Sequence, residues 1–197
     1  LSNFALENSI TGLEFLSCIP GSIGGAIRMN AGCYDYDISK CIVSIQVVDC
    51  NGIVRTIKSD KINFFYRGSD LSDDLIFLSG TFKGEKQDSK KIKEKIEKLS
   101  ALKKKSQPSK IKTCGSTFKN PTSQTQKKAW ELIKEAQCEN MKIGGASISE
   151  KHSNFFVNED SATSNDMENL ISLVREKVFN TTGIKLELEL QIIGEKK

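Results

Sequence analysis

The sequence holds a single histidine, His152, and no C-x-x-C pair among its six cysteines, Cys18, Cys33, Cys41, Cys50, Cys114 and Cys138. A His/Cys zinc centre is thereby excluded, since closely spaced nitrogen and sulfur ligands cannot be assembled from this set. No run approaches the roughly 18 apolar residues that a membrane helix needs, and the N-terminus has neither a basic stretch nor a signal-like apolar core. A soluble protein that makes no use of a membrane is expected. At 197 residues the chain needs no disulfide staples, so reduced thiols in a cytoplasm are the expectation. An initiator methionine is also missing; the opening Leu1-Ser2-Asn3 reads as a fragment or processed form. There is no internal repeat and no βαβ rhythm, which makes α+β the expected class. With 38% hydrophobic residues the chain can bury a real core, in one substantial domain or two small ones. The net charge of +4 is modest and suits an anionic ligand without requiring nucleic acid.

What is present is glycine, concentrated in SITGLEFLSCIPGSIGGAIRMNAGCY at residues 9–34. Gly12, Gly21, Gly24, Gly25 and Gly32 stand beside Pro20 with few charges. Glycine reaches φ > 0 without steric cost and lets main-chain N–H groups approach a ligand, as in many phosphate-bearing cofactor sites. Turns and tight helix packing explain an isolated glycine-rich stretch equally well, so the rest of the chain has to decide.

Cys41, Val43, Ile45 and Val47 fall on one face of a strand, and Asp49-Cys50-Asn51-Gly52 reads as a hairpin turn into a second strand, Ile53 to Ile57. Leu75 to Phe82 is another β-like run. From Lys86 to Lys112 eleven lysines face only three acids, Asp88, Glu94 and Glu97. Ile92, Ile96, Leu99 and Leu102 recur there at helical spacing, which predicts an amphipathic linking helix with lysines on its outer surface, ended by Gln107-Pro108. The run contains no arginine and no aromatic residue, the companions that nucleic-acid binding usually recruits, so no nucleic acid is expected. Ala129, Trp130, Ile133 and Ala136 mark a further helix with Trp130 in the core. Another begins near Thr163 or Ser164, with Asp166 and Glu168 in its first turn and Met167, Leu170, Ile171, Val174 and Val178 as its apolar stripe, and Gly183 follows its end. The final alternation of Ile184, Leu186, Leu188, Leu190 and Ile192 against Lys185, Glu187, Glu189 and Gln191 predicts a strand.

Four further features carry chemistry: Tyr66-Arg67-Gly68-Ser69, GSTFKNP at 115–121, Lys151-His152-Ser153-Asn154-Phe155, and Leu186-Glu187-Leu188-Glu189-Leu190. Singly, Arg67 reads as a surface cation, Ser116 as a turn residue, His152 as a satisfied polar group and Glu189 as a solvated carboxylate. Their order along the chain says more. The succession IPGSIGGAIRMNAGCY, FFYRGS, QP…CGSTFKNP, IGGASISEKHSNFFVN and GIKLELELQIIG resembles the UDP-N-acetylenolpyruvoylglucosamine reductases, the flavoenzymes that make UDP-N-acetylmuramate for peptidoglycan. The resemblance covers nearly the whole chain.

It implies the second half of a PCMH-like FAD-binding domain at residues 1–90 and a linking helix at 91–108. A substrate-binding α+β domain follows at 109–197, its last strand returning to the flavin side. The family's amino-terminal G-G-G-S-N-L-type loop, which grips the FAD pyrophosphate, has no counterpart in this sequence. By similarity, Ile19, Pro20, Gly21, Ser22, Gly24, Gly25, Asn30, Ala31 and Gly32 line the FAD. NADPH reduces the flavin, and the reduced flavin passes hydride to the enolpyruvyl C3 of UDP-N-acetylglucosamine enolpyruvate. The resulting enediolate-like charge needs a cation or hydrogen-bond donor. Arg67 matches the family's Y-R position, Glu189 its terminal catalytic glutamate, with Glu187 the lesser neighbour, and Ser116 its proton donor to C2. Tyr66 and Asn120 are implied substrate contacts, and His152 and Asn154 match a family motif for which a structural role serves equally well. Two departures stand out. Cys138-Glu139-Asn140-Met141 replaces a G-x-K-G turn, and Leu188 replaces the proline common before the glutamate. The short span from Arg67 to Ser116 implies the compact subclass, and a monomer is expected. Another FAD-linked oxidoreductase of the same fold, or an inactive nucleotide-sugar-binding fragment, are the alternatives.

Overall fold

The computed structural model describes residues 1–108 and 111–194; Ser109 and Lys110 of the lysine run, and Glu195, Lys196 and Lys197 at the end of the expected substrate domain, lie outside the described residues. The chain divides into two compact units, Leu1–Lys103 and the residues from Lys104 on, each mixing helices with antiparallel strands in an α+β arrangement.

In unit one, β1 (Ile42–Val48) lies between β2 (Val54–Lys58) and β3 (Ile76–Phe82) in a three-stranded antiparallel sheet. The β1–β2 turn is built by Asp49, whose Oδ1 accepts from the N–H groups of Asn51 and Ile53 at 3.0 and 3.1 Å, and by Gly52 at φ +78°. Ile45 and Val47 are buried as their alternation predicts, and Cys41 with them. Val43 is exposed instead. The register slips between Ile42 and Ser44, a bulge that turns Ile42 inward in its place. Two short helices, α1 (Ser2–Glu7) and α2 (Ile23–Arg28), complete the unit's apolar layer, with Ile27 of α2 almost wholly buried.

The long helix α3 (Ser89–Ser106) buries Ile92, half-buries Ile96 and Leu99, and leaves Leu102 exposed. Two of its lysines depart from the outward lysine face that periodicity predicts. Lys95 Nζ reaches Glu14 at 3.3 Å, and Lys103 Nζ donates to the carbonyl of Cys18. Lysines can turn back in this way because their long apolar stems lie along the surface while the ammonium finds a fixed acceptor.

Glu14 itself is buried, with its carboxylate accepting from the Thr11 hydroxyl at 2.5 Å and the Gly12 N–H at 2.9 Å. Burial alone raises its pKa, but the Thr11 and Gly12 hydrogen bonds, assisted by Lys95, hold it below the ordinary glutamate value. The folded state therefore binds this proton less readily than the unfolded chain. The stabilisation is fully present above the unfolded glutamate pKa of about 4.3 and is lost as pH falls through the lowered folded pKa. Glu14→Gln is expected to cost about 1–3 kcal/mol at neutral pH and to flatten the acid limb of a stability–pH profile. Unchanged stability at pH 7 in a urea titration would count against this role.

In unit two, β4 (Lys112–Ser116), β5 (Lys142–Ile143), β6 (Ala146–Ile148) and β7 (Phe155–Asn158) form an antiparallel sheet in the order β4-β7-β6-β5. Helices α4 (Ala129–Glu135) and α5 (Ser164–Thr182) pack with it around Phe118, Ile133, Phe156, Leu170 and Val174. Phe118 and Phe156 meet edge to face at 5.7 Å. The start of α5 is a capping box. Thr163 Oγ1 accepts from the Asp166 N–H at 3.1 Å, and the Asp166 carboxylate accepts from the Thr163 N–H at 2.9 Å. Gly183, at φ +73°, ends the helix.

Two sequence expectations need correcting here. Trp130 is half-buried, with its ring edge toward His152 and Lys134 Nζ over its face, so it borders the core instead of filling it. The final alternating segment is not a regular strand. Leu186 is buried and Leu188 and Leu190 pack on the core, yet the backbone makes a single bridge, Leu188 opposite Phe118. Its partner segment is only three residues long before Asn120-Pro121 turns away, and proline cannot extend a ladder.

Candidate functional site

The glycine segment of unit one lines a cleft of about 520 Å³. Ile19, Pro20, Gly21, Ser22, Gly25 and Ala31 all stand on its wall, together with Ser2 and Ser17. Gly21 sits at φ +135° with open space where a side chain would project, a backbone conformation that only glycine adopts readily. Ser22 caps α2, accepting from the Gly25 N–H at 3.1 Å. The Ser2 hydroxyl is buried and has no hydrogen-bond partner among the described residues. A buried, unpaired hydroxyl on a cleft wall shared with Gly21 and apolar Leu16, Ile23 and Met29 fits a ligand with both oxygen acceptors and an apolar ring. These residues fit the group implied by the glycine pattern.

Gly24, Asn30 and Gly32 are placed elsewhere. Gly24 lies on the α2 face toward Phe77. Asn30 is buried, donating from Nδ2 to the Phe65 carbonyl at 3.1 Å and accepting from the Ser39 N–H at 3.0 Å, which leaves its amide engaged within the fold. Gly32 starts a small hairpin whose return strand, at Tyr36 and Asp37, lies 2.4 to 3.0 Å from the position of a Cβ. Close packing therefore accounts for Gly32 and internal hydrogen bonding for Asn30, while a Cβ added at Gly24 would meet Phe77 at 3.9 Å, an ordinary contact.

Tyr66 and Arg67 form the tip of a hairpin in which Phe64 pairs with Ser69 and Phe65 with Gly68. Arg67 takes φ +60°, and its guanidinium lies 4.8 Å from the Tyr66 ring centre, so cation and ring are presented as one unit. All six cysteines are free thiols. Burial pushes the Cys33 thiol up to about 11, which keeps it protonated and unreactive at neutral pH.

In unit two, Ser116 closes β4 opposite Phe155, just beyond a register shift and after Gly115 at φ +85°. No hydrogen bond among the described residues engages its hydroxyl. The backbone then runs beside the last segment of the chain. Lys119 N–H donates to the Glu187 carbonyl and Glu189 N–H to the Thr117 carbonyl, both at 2.9 Å, so Ser116 and Glu189 belong to adjacent segments. Asn120 Oδ1 accepts from the Ala129 N–H at 3.0 Å, tying the residue to the first turn of α4.

His152 is half-buried at the edge of the core, with Asn154 beneath it. His152 Nδ1 accepts from the Asn154 N–H at 3.2 Å, and its ring lies edge to face with Phe155 at 4.9 Å and Trp130 at 6.5 Å. Burial, with help from the Lys134 charge, keeps this imidazole below its ordinary pKa and neutral at pH 7. Asn154 is buried, with both ends of its amide on the backbone of Phe118. Both amide atoms of Asn154 are engaged by the Phe118 backbone, the structural role that serves this motif equally well.

Comparison with known proteins joins the two units. Residues 107–193 match the UDP-N-acetylenolpyruvoylglucosamine reductase, C-terminal domain, and residues 1–58 match the FAD binding domain family. A UDP-N-acetylenolpyruvoylglucosamine reductase of Pelagibacter ubique is 51% identical over 193 residues, 98% of this chain. The chain belongs to the UDP-N-acetylenolpyruvoylglucosamine reductase family. The reductase of Rickettsia typhi is 44% identical over 99% of this chain. The crystal structure of the reductase from Thermus caldophilus superposes with a TM-score of 0.83 at 29% identity, covering 96% of this chain and 67% of that one. The chain spans 64% and 65% of the length of the Pelagibacter and Rickettsia relatives.

Within this reductase family fold, sequence reasoning missed Ser2, Glu14, Lys95 and Lys103. Ser2 carries no periodic or motif signal of its own. The two lysines are hidden in a run where most neighbours face water. The pattern Thr11-x-x-Glu14 is the one signal that pointed to a local carboxylate clamp.

Proposed function

We propose that this chain serves in the FAD-dependent, NADPH-oxidising reduction of UDP-N-acetylglucosamine enolpyruvate to UDP-N-acetylmuramate, in the cytoplasm and as a monomer. The observation that carries this reading is the adjacency of the Ser116 and Glu189 segments in a chain whose other unit holds the glycine-lined cleft. No described helix is long and apolar enough to cross a membrane, and no described group of His, Cys, Asp and Glu side chains could hold a metal ion.

Ile19, Pro20, Gly21, Ser22, Gly25 and Ala31, with the unpaired Ser2 hydroxyl, are the residues of this chain that would hold FAD. When bound, FAD supplies the transfer of hydride from NADPH to the enolpyruvyl C3. Hydride addition at C3 leaves negative charge on C2 and its carboxylate. Arg67 gives that charge electrostatic support, joined by Glu189 when its carboxyl carries a proton and can donate a hydrogen bond. Ser116 gives its hydroxyl proton to C2, which completes the saturated lactyl ether, and the seryl oxygen regains a proton from solvent. Tyr66 and Asn120 bind the substrate, with Asn120 toward the diphosphate or uridine end.

Calorimetric titration with the enolpyruvyl UDP-sugar in the presence of FAD tests the reading, with UDP alone and single-stranded DNA as controls. The expected result is selective binding of the enolpyruvyl compound that weakens in Arg67→Met and Asn120→Ala. Equal binding of UDP and the enolpyruvyl compound would favour a nucleotide-sugar module without catalysis. Steeply salt-dependent binding of DNA would overturn the reading.

A further inference from the structure

We infer that Asn154 is the positioning residue shared by Ser116 and Glu189, an assignment that rests on the reductase reading above. The backbone from Thr117 to Lys119 is a short segment with two hydrogen-bonding edges and a single bridge, at Phe118. Along one edge it pairs with the last segment, through Lys119 N–H to Glu187 O and Glu189 N–H to Thr117 O, each 2.9 Å. Phe118 stands opposite Leu188 and makes no hydrogen bond on that side, so its N–H and C=O point to the other edge. No strand among the described residues receives them. The side chain of Asn154 takes the place of one. Its Oδ1 accepts from the Phe118 N–H at 3.0 Å, its Nδ2 donates to the Phe118 carbonyl at 2.8 Å, and its own carbonyl accepts from the Thr117 N–H at 2.8 Å.

Among uncharged side chains of this length only asparagine sets a donor and an acceptor side by side at the spacing of a backbone amide pair. Phe118 is 1% exposed and Asn154 4%, so water has no access to replace either bond. Removing the amide leaves a buried N–H and a buried C=O unpaired. Relief requires the 117–119 backbone to move, which shifts Ser116 directly and Glu189 through its bond to Thr117. One amide thereby holds both groups that unit two contributes to the reaction, without touching substrate.

The test compares the two half-reactions of the FAD-loaded enzyme by stopped flow: flavin reduction by NADPH, and flavin reoxidation by the enolpyruvyl UDP-sugar. Asn154→Ala is expected to slow reoxidation about 100-fold, the cost of misplacing a reacting group by about 1 Å, with reduction by NADPH unchanged. Asn154→Gln keeps donor and acceptor but carries them one methylene farther out, and is expected to show the same selective loss to a lesser degree. In a Ser116→Ala background, Asn154→Ala should add less than its full loss, because the part that acts through Ser116 is already gone. Equal loss in both half-reactions, including loss of the folded holoenzyme in both variants, would make Asn154 a stability residue and overturn the inference. So would reoxidation at the unmutated rate, or losses from Asn154→Ala and Ser116→Ala that simply multiply. If the unmutated enzyme is not reoxidised by this substrate at all, the reductase reading itself fails, and the inference falls with it.

Discussion

Ser116→Ala is expected to slow reoxidation of the reduced flavin by the enolpyruvyl substrate about 1,000-fold, within the range that one general acid contributes, while flavin reduction by NADPH proceeds at the unmutated rate. The separation follows from where the residue sits. Ser116 closes β4 with its backbone paired to Phe155, and its hydroxyl makes no hydrogen bond among the described residues. Removing one oxygen there orphans no buried partner, so the fold should survive intact. Serine is a weak acid in water and protonates carbon only when the carbanion is strongly basic and held close to it, which is why the effect should appear in one half-reaction alone. Rapid-mixing measurements of both half-reactions decide the matter. If both stay fast in the variant, Ser116 is not the proton donor.

The largest effect on stability is expected at Gly145. A Cβ added there would lie 2.0 Å from the Asp160 carbonyl oxygen and 2.6 Å from the Ala162 nitrogen, both of them backbone atoms with no rotamer to escape into. The loop it would strike cannot simply swing aside. Asn158 holds Ala162 through two bonds, Ala162 N–H to Oδ1 at 2.9 Å and Nδ2 to the Ala162 carbonyl at 3.3 Å, and the Glu159 N–H donates to the Gly145 carbonyl at 3.1 Å. Thr163 follows at once as the cap of α5. Gly145→Ala is therefore expected to destabilise unit two by about 3 kcal/mol or more, the upper range of overpacking. Gly183→Ala, in the same unit, is the control. Nothing lies within 4 Å of its added methyl, so only the strain of φ +73° remains, about 1 kcal/mol. Trp130 is the sole tryptophan and lies in unit two, so urea unfolding followed by its fluorescence reports on the right half of the molecule. A Gly145→Ala midpoint no lower than that of the control would show that the loop gives way.

Much of this was readable in advance where the signal is local. Asp49-Cys50-Asn51-Gly52 turns where its residue types require, Thr163 and Asp166 cap α5, and the apolar stripe from Leu170 to Val178 is buried. Family membership was readable too, since five motifs in a fixed order leave few alternatives. The misreadings share one cause. Alternation at Val43 and along residues 184–192 reports which side chains seek the core. It does not say whether the backbone keeps its register or finds a partner strand, and those outcomes depend on residues far away in sequence. Distant packing also decides how motif side chains are engaged. Asn30, Gly32 and Asn154 stand in motifs, yet a motif does not reveal whether an amide will be consumed by a neighbouring backbone or a glycine pressed by a returning hairpin.

By itself the sequence determined the α+β class, the positions of the turns, caps and long helices, and the residue types on which the proposed chemistry depends, because each rests on interactions spanning a few residues. Only the tertiary structure decided that Lys95 and Lys103 turn inward to Glu14 and Cys18, that the glycine segment opens onto a cleft with an unpaired Ser2 hydroxyl, and that Asn154 stands in for a missing strand beside Phe118. Each of these is a contact between distant stretches of chain, and a buried polar group finds its partner only when packing has brought the two together.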